Sequence, residues 1–186
     1  IQSNHQLESN EEKLKKKTGG RKVHTTLAFV HTYPDGDRDF SFYRNPGADM
    51  MLRKEEVSLE KICASKIFHF GTLSFTHAGI RTASQYAIQC AKEAGALISF
   101  DPNLREPLWE NLEDARKAIE YGMECCDILK ISDNELTFMT GEKDYDKGAV
   151  LLQQKYQIPL VCVTLGKDGS RAYYKGLTIK AEPFLQ

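Results

Sequence analysis

The sequence predicts an α/β domain built on a mostly parallel sheet, with an antiparallel hairpin in front of it. After residue 55, short apolar runs alternate with longer segments of helical periodicity. Strands separated by helices favour right-handed βαβ units and therefore a parallel sheet. Before residue 55, an Asp-Gly pair lies between two β-branched and aromatic runs, which is typical of a hairpin.

The composition is that of an ordinary globular protein and excludes several classes. Of 186 residues, 41% are hydrophobic and 27% charged, and 25 basic against 26 acidic residues give a net charge of −1. This balance argues against a nucleic-acid partner, and no apolar run reaches the roughly 20 residues that a membrane helix needs. The five cysteines show no metal-binding spacing, so we expect reduced, buried thiols in a cytoplasmic protein.

The chain divides into three parts by composition. Residues 1–24 are polar and rich in lysine, and we expect a flexible leader with at most a short helix over 8–17. Residues 25–48 form the predicted hairpin, whose strands are 25–31 and 39–44. Residues 49–186 form the predicted α/β core. Its strands are 67–70, 97–100, 128–131, 160–164, 171–174 and 177–180, and its helices are 77–94, 112–125, 132–140 and 147–156.

The first candidate site residues follow the strand 97–100. Parallel sheets bind ligands outside the carboxyl ends of their strands. The amide of Asn103 and the guanidinium of Arg105 are therefore candidate ligand contacts. The planar fork of Arg105 suits a phosphate. The alternative is a capped loop in which Arg105 pairs with Glu106 or Glu110 on the surface, and the residues alone leave both open.

The next strand, 128–131, runs into a second candidate. Ser132 and Glu135 have the spacing of a capping box, which stabilises a helix start. A helix N-terminus at a strand end also favours phosphate, and Glu135 is able to orient Mg²⁺ or its waters there. Strand parity leaves open whether Lys130 faces the site or the solvent.

Two further loops carry weaker signals. Gly166 and Gly169, after Thr164, permit close approach of a ligand to the backbone but equally suit a hairpin loop. Phe42, Tyr43 and Arg44 at the end of the first hairpin combine aromatic and cationic groups that recognise a polyol, or they form an ordinary edge strand.

Five segments occur in an order that resembles the ribokinase-like (PfkB) carbohydrate kinases, and within them the fructokinases. The segments are TTLAFVHTYPDGDRDFSFYRNPGADMML, HFGTLSF, AKEAGALISFDPNLREPLW, DILKISDNELTFMTG and VTLGKDGSRAYY, from about residue 25 to 184. The resemblance implies a three-layer α/β/α fold with a mostly parallel sheet and part of a small β lid. It also implies transfer of the γ-phosphate of ATP to a sugar hydroxyl, with fructose as the expected sugar and Mg²⁺ as cofactor.

The resemblance assigns roles to residues. It places Phe42, Tyr43 and Arg44 near the sugar, Asn103 and Arg105 between sugar and phosphates, and Glu135 at the metal, directly or through water. Ser132 replaces the asparagine of the family's Asn-x-x-Glu motif. The nucleotide would lie against the remaining positions, which are Lys130, Ser132, Thr164, Gly166 and Gly169.

The resemblance also implies that one catalytic group is missing. The family's base is an aspartate in a downstream Gly-Ala-Gly-Asp segment, which no aspartate of this chain matches. We therefore expect a fragment with no turnover by itself. The alternative is an inactive sugar- or nucleotide-binding protein of the same fold. The lid strand suggests a homodimer through β-strand pairing.

Overall fold

The computed structural model describes residues 23–34 and 38–183. The leader expected over 1–24, with its short helix, lies outside these residues except for positions 23 and 24. Eight strands are described: β1 (Leu27–Thr32), β2 (Arg38–Tyr43), β3 (Ile67–Gly71), β4 (Leu97–Asp101), β5 (Ile128–Ser132), β6 (Leu160–Thr164), β7 (Ser170–Tyr174) and β8 (Leu177–Ala181). The described α-helices are α1 (Leu59–Cys63), α2 (Ala78–Glu93), α3 (Leu112–Cys125), α4 (Asp133–Thr140) and α5 (Tyr145–Tyr156).

The first two strands form the predicted hairpin. β1 and β2 pair antiparallel, with Leu27 opposite Tyr43 and Thr32 opposite Arg38. The Asp-Gly turn between them lies outside the described residues. We call residues 25–48 the lid hairpin, because its two strands form a small sheet separate from the main one.

The main sheet has six strands in the order β3-β4-β5-β6-β7-β8. β3 to β6 are parallel, and β7 and β8 continue the sheet antiparallel. This confirms the mostly parallel sheet and the second hairpin. β3, β4 and β5 each extend one residue beyond the predicted end, to Gly71, Asp101 and Ser132, because their last residue is polar or glycine and interrupts the apolar pattern.

The helices cover one face of this sheet. Alternate strand residues on that face join one hydrophobic core with residues of α2 to α5, and the strand members include Phe100, Leu129 and Val161. The opposite face, which we call the open face, carries large apolar side chains that are about half exposed or more: Ile67, Leu97, Leu177 and Ile179. The described residues thus supply the sheet and one helical layer of the expected α/β fold.

Two features of the core were not expected. The segment before β3 contains α1 and 3-10 turns at Ala48–Met51 and Lys54–Glu56, where no element was predicted. All five cysteines are free, as expected, but only Cys126 is buried and Cys63 is exposed. The prediction of buried thiols is wrong for Cys63, because α1 is a single turn at the surface. No helix among the described residues is long and apolar enough to cross a membrane.

Candidate functional site

The loop after β4 is held at both of its ends. It spans residues 102–109, and we call it the strand-end loop. At its start, the buried Thr72 donates from both its backbone N–H and its hydroxyl to the carbonyl of Pro102, at 3.2 and 2.5 Å. Asn103 then turns the chain in the left-handed region, with φ of 45°, which asparagine tolerates better than most residues. A 3-10 turn at Glu106–Leu108 leads to Trp109.

Arg105 lies on this loop and contacts an aromatic ring of the lid hairpin. Its guanidinium carbon is 4.5 Å from the centre of the Phe40 ring in the lid hairpin, and Nη1 donates to the carbonyl of Leu104 at 3.2 Å. Among the described residues no carboxylate pairs with it, so the surface ion pair with Glu106 or Glu110 is not formed. The other interpretation of Arg105, a guanidinium that binds an anion, therefore remains.

The N-terminus of α4 meets the same loop. Ser132 and Glu135 form the predicted capping box. The Glu135 carboxylate is 7% exposed, and it also accepts from the Leu104 N–H at 2.6 Å through Oε1. Sequence reasoning found the capping box and missed Leu104, since a backbone N–H carries no sequence signal.

Lys130 and Asp101 pair across neighbouring strand ends. Lys130 Nζ lies 2.9 Å from Asp101 Oδ2 on the open face, which settles the strand parity that the sequence left open. Asp101 Oδ1 is buried and has no hydrogen-bond partner among the described residues. Asp101 was not among the predicted site residues, although its place as the last residue of β4 is a signal that could have found it.

The turn after β6 completes the row of strand ends. Thr164 lies opposite Ser132 in the parallel register and opposite Ser170 of β7. Gly166 has φ of 54°, and a side chain at Gly169 would overlap the backbone of Ala181. The turn therefore joins two antiparallel strands, as the hairpin alternative predicted. Glycine is favoured at 166 by the left-handed backbone and required at 169 by the close approach of Ala181.

The lid hairpin contributes its three predicted residues on two faces. The side chain of Arg44 is 8% exposed, and it donates to Asp49 Oδ2 at 2.8 Å through Nε and to the Leu73 carbonyl at 3.1 Å. Burial by itself raises the pKa of Asp49, but hydrogen bonds from Arg44 and Thr26 outweigh it and hold the pKa below its usual range. Phe42 is half-buried, whereas Tyr43 points to the other face of the strand and is 51% exposed.

Two cavities flank the strand-end loop. One of about 450 Å³ is lined by Gly71, Ser74, Asp101 and Asn103 among others. The other, of about 410 Å³, lies where Phe42 and Arg44 meet Trp109, whose indole N–H is buried without a partner among the described residues. Asn103 and Arg44 therefore line separate cavities on the two sides of the loop.

The described residues offer little to a metal ion. No group of three or more His, Cys, Asp or Glu side chains among them is arranged to hold one. Both oxygens of Glu135 already accept hydrogen bonds from the chain itself, from Leu104 and from Ser132. These three bonds leave the carboxylate about one of its four acceptor positions for a metal ion or a metal-bound water.

The sequence pattern of the pfkB family carbohydrate kinases matches residues 14–186. The chain belongs to this family. The match begins before residue 25, where the resemblance was expected to start. Among relatives of this pfkB chain, probable fructokinase-2 of Arabidopsis thaliana is 48% identical over 160 residues, which cover 86% of this chain and 49% of the relative.

Solved pfkB-family structures share the fold. The fructokinase of Xylella fastidiosa with bound ATP gives a TM-score of 0.74 at 32% identity, covering 87% of this chain and 50% of that one. The fructokinase of Vibrio cholerae O395, in a form with fructose, ADP and calcium, gives 0.72 at 28% identity, with 83% and 50% covered. The chain thus spans about half the length of the relatives it matches.

Proposed function

We propose that this chain carries the phosphate-binding edge of an ATP-dependent sugar kinase, and that the sugar is fructose. One observation carries the proposal most directly: Arg105 stands at the carboxyl ends of parallel strands with no carboxylate partner among the described residues. The choice of sugar and of ATP is supported by the fructokinase relatives.

Phosphoryl transfer depends on positioning and on neutralising charge, which suits these residues. We assign to Arg105 the binding of the transferring phosphoryl oxygens, since its planar donors match phosphate. Asn103, next to it, would contact the sugar. The helix N-terminus at Ser132 and the turn at Thr164 would contact the nucleotide, together with Lys130, Gly166 and Gly169.

The lid residues divide the task in the proposed complex. Phe42 and Arg44 lie on the face of the lid hairpin that is turned towards the core, so they would contact the sugar from the lid side. Arg44 is already bonded to Asp49 and Leu73, and it would therefore act mainly by fixing the lid. Tyr43 lies on the opposite face of the strand, so we expect it to contribute least of the three to sugar binding.

ATP and Mg²⁺ are the cofactors of the proposed reaction. A bound magnesium ion supplies charge neutralisation between phosphate oxygens. Glu135 has about one acceptor position left, which would take the ion itself or one of its waters. We also propose a cytoplasmic location, which the five free cysteines favour.

An inactive binding protein is the second candidate. The chain spans about half the length of its relatives, and no aspartate in it matches the family's base. We therefore expect the 186 residues alone to bind ligand without turnover, since a general base contributes about 10²–10⁴-fold to a rate.

The partners are a small sugar and a second copy of the chain. We propose that the copies pair through the lid hairpin, whose first strand exposes Leu27, Phe29 and Val30. An edge strand with exposed apolar side chains favours strand addition.

The test is ADP formation by the full-length protein that contains these residues, with ATP and a panel of fructose, glucose and ribose. The proposal predicts turnover with fructose and at least tenfold lower kcat/KM with the other two sugars. ATP binding without turnover on any sugar would favour the inactive binding protein. Preference for ribose or glucose would overturn the choice of substrate.

A further inference from the structure

The buried polar side chains of the described residues converge on one loop. Thr72 and Glu135 are the two polar or charged residues that are buried there. Thr72 bonds to Pro102, and Glu135 bonds to Leu104, so they hold the strand-end loop on either side of Asn103. A buried carboxylate is costly unless its oxygens accept hydrogen bonds, so its bonding partners indicate its role.

The Glu135 carboxylate accepts three hydrogen bonds from the chain. Oε1 accepts from the Leu104 N–H at 2.6 Å, and Oε2 accepts from the Ser132 N–H at 2.9 Å and the Ser132 hydroxyl at 2.8 Å. These bonds tie the start of α4 to a residue that is 31 positions away in the chain. Leu104 is the single residue between Asn103 and Arg105, so fixing its backbone fixes the direction of both.

We propose that Glu135 is a positioning residue, which clamps the strand-end loop so that Asn103 and Arg105 face the reacting groups. The role of the two loop residues rests on the proposed kinase function. The clamp itself does not, because it is made of contacts within this chain.

The sole tryptophan of the chain reports on this clamp. Trp109 ends the strand-end loop, and its indole N–H is buried. In Glu135→Gln, one end of the amide can accept a hydrogen bond, but its NH₂ must face either the Leu104 N–H or the Ser132 N–H. Either the bond to the Leu104 N–H or the bond to the Ser132 N–H is therefore lost, and the tie between the loop and the start of α4 is weakened whichever way the amide turns.

The experiment measures quenching of Trp109 fluorescence by acrylamide in the 186-residue chain with EDTA present. We expect Glu135→Gln to raise the quenching constant about twofold or more without any metal. Thr72→Val, which keeps the side-chain shape and removes the hydroxyl bond to Pro102, should act in the same direction. Asp133→Asn removes a carboxylate from the same helix turn that has no bond to the loop, and it should leave quenching unchanged.

Kinetics of the full-length protein provide the second readout. A positioning role predicts that Glu135→Gln lowers kcat about tenfold or more, while the Mg²⁺ concentration for half-maximal rate changes less than threefold. Unchanged quenching in both Glu135→Gln and Thr72→Val would overturn the clamp, and so would a large rise in the Mg²⁺ requirement with unchanged quenching. If no sugar is phosphorylated, the proposed function fails, but the quenching result still decides the clamp.

Discussion

Folding makes the Cys126 thiol a weaker acid. Burial, followed by the nearby charge of Asp127, raises the pKa of its thiol from 9.0 to about 12. The unfolded chain therefore releases this proton at lower pH than the folded chain. The contribution of this thiol to the free energy of unfolding is therefore fully present below pH 9. It declines as the pH rises from 9 towards 12, by at most about 1.4 kcal/mol per pH unit.

Urea denaturation at pH 8, 9.5 and 10.5 checks this. We expect the free energy of unfolding to fall with pH in the wild-type chain and to fall less steeply in Cys126→Ala. Cys63→Ala, which removes an exposed thiol, should keep the wild-type slope. Equal slopes in the wild type and Cys126→Ala would show that this thiol does not govern alkaline stability.

At the residue scale, sequence reasoning identified side chains better than their partners. Residue type and position after a strand were enough to identify three candidates, which are Asn103, Arg105 and Glu135. The stacking of Arg105 on Phe40 and the bond from Leu104 to Glu135 could not be predicted, since both depend on tertiary approach. Tyr43 was grouped with Phe42 and Arg44 in the sequence, but side chains alternate along β2, so Tyr43 lies on the other face of the strand.

At the scale of elements, one glycine sets how closely α3 packs on β4. A β-carbon at Gly122 would overlap the ring of Phe100, which is fully buried and stacked 4.7 Å from Phe70. An ordinary helical glycine gains stability on change to alanine. Here the ring has no space to move, so we expect Gly122→Ala to destabilise the protein by about 1–3 kcal/mol.

A matched control is available in α2. At Gly79 the nearest atom to an added β-carbon is 3.5 Å away, which is ordinary contact. Thermal unfolding of both variants measures the difference. Gly79→Ala should be neutral or slightly stabilising in that assay, whereas Gly122→Ala should lower the stability. A neutral Gly122→Ala would mean that α3 moves away from the sheet at little cost.

The order and type of most elements followed from hydrophobic periodicity. Helix α3 and strand β6 match the predicted bounds, because apolar residues mark their whole length. The polar last residues of β4 and β5, Asp101 and Ser132, break that pattern. The one-turn helix α1 was missed because a helix this short lacks a full period of the apolar repeat.

At the scale of the whole molecule, the open face of the sheet predicts association. Ile179 is 66% exposed and Leu177 64%, beside further half-exposed apolar residues. A contiguous apolar surface of this kind favours self-association of the 186-residue chain. Sedimentation velocity should show Ile179→Asp reducing higher oligomers, whereas Phe29→Asp on the lid should convert dimers to monomers. Monomeric wild-type chain at tens of micromolar would contradict both surfaces.

Sequence periodicity could not identify which sheet face is covered, because β3 to β6 carry apolar residues on both. Helix placement on one face follows from the strand order, in which each parallel crossover moves in the same direction. On the open face, the polar pairs His69–Ser99 and Lys130–Asp101 lie in the middle and carboxyl-terminal parts of β3 to β5. The proposed site therefore lies where the carboxyl ends of the parallel strands bring polar side chains to the open face.

The most direct test of the account is calorimetric titration of ATP with Mg²⁺ into the 186-residue chain, comparing Arg105→Ala with Arg116→Ala. Arg116 is a matched control, since its guanidinium lies 4.4 Å from the Phe138 ring and donates to a backbone carbonyl, but it belongs to α3 and not to the strand-end loop. The account predicts that Arg105→Ala weakens ATP binding at least tenfold and Arg116→Ala less than twofold. Equal affinity in the wild type and Arg105→Ala would contradict the assignment of the strand-end loop as the phosphate site.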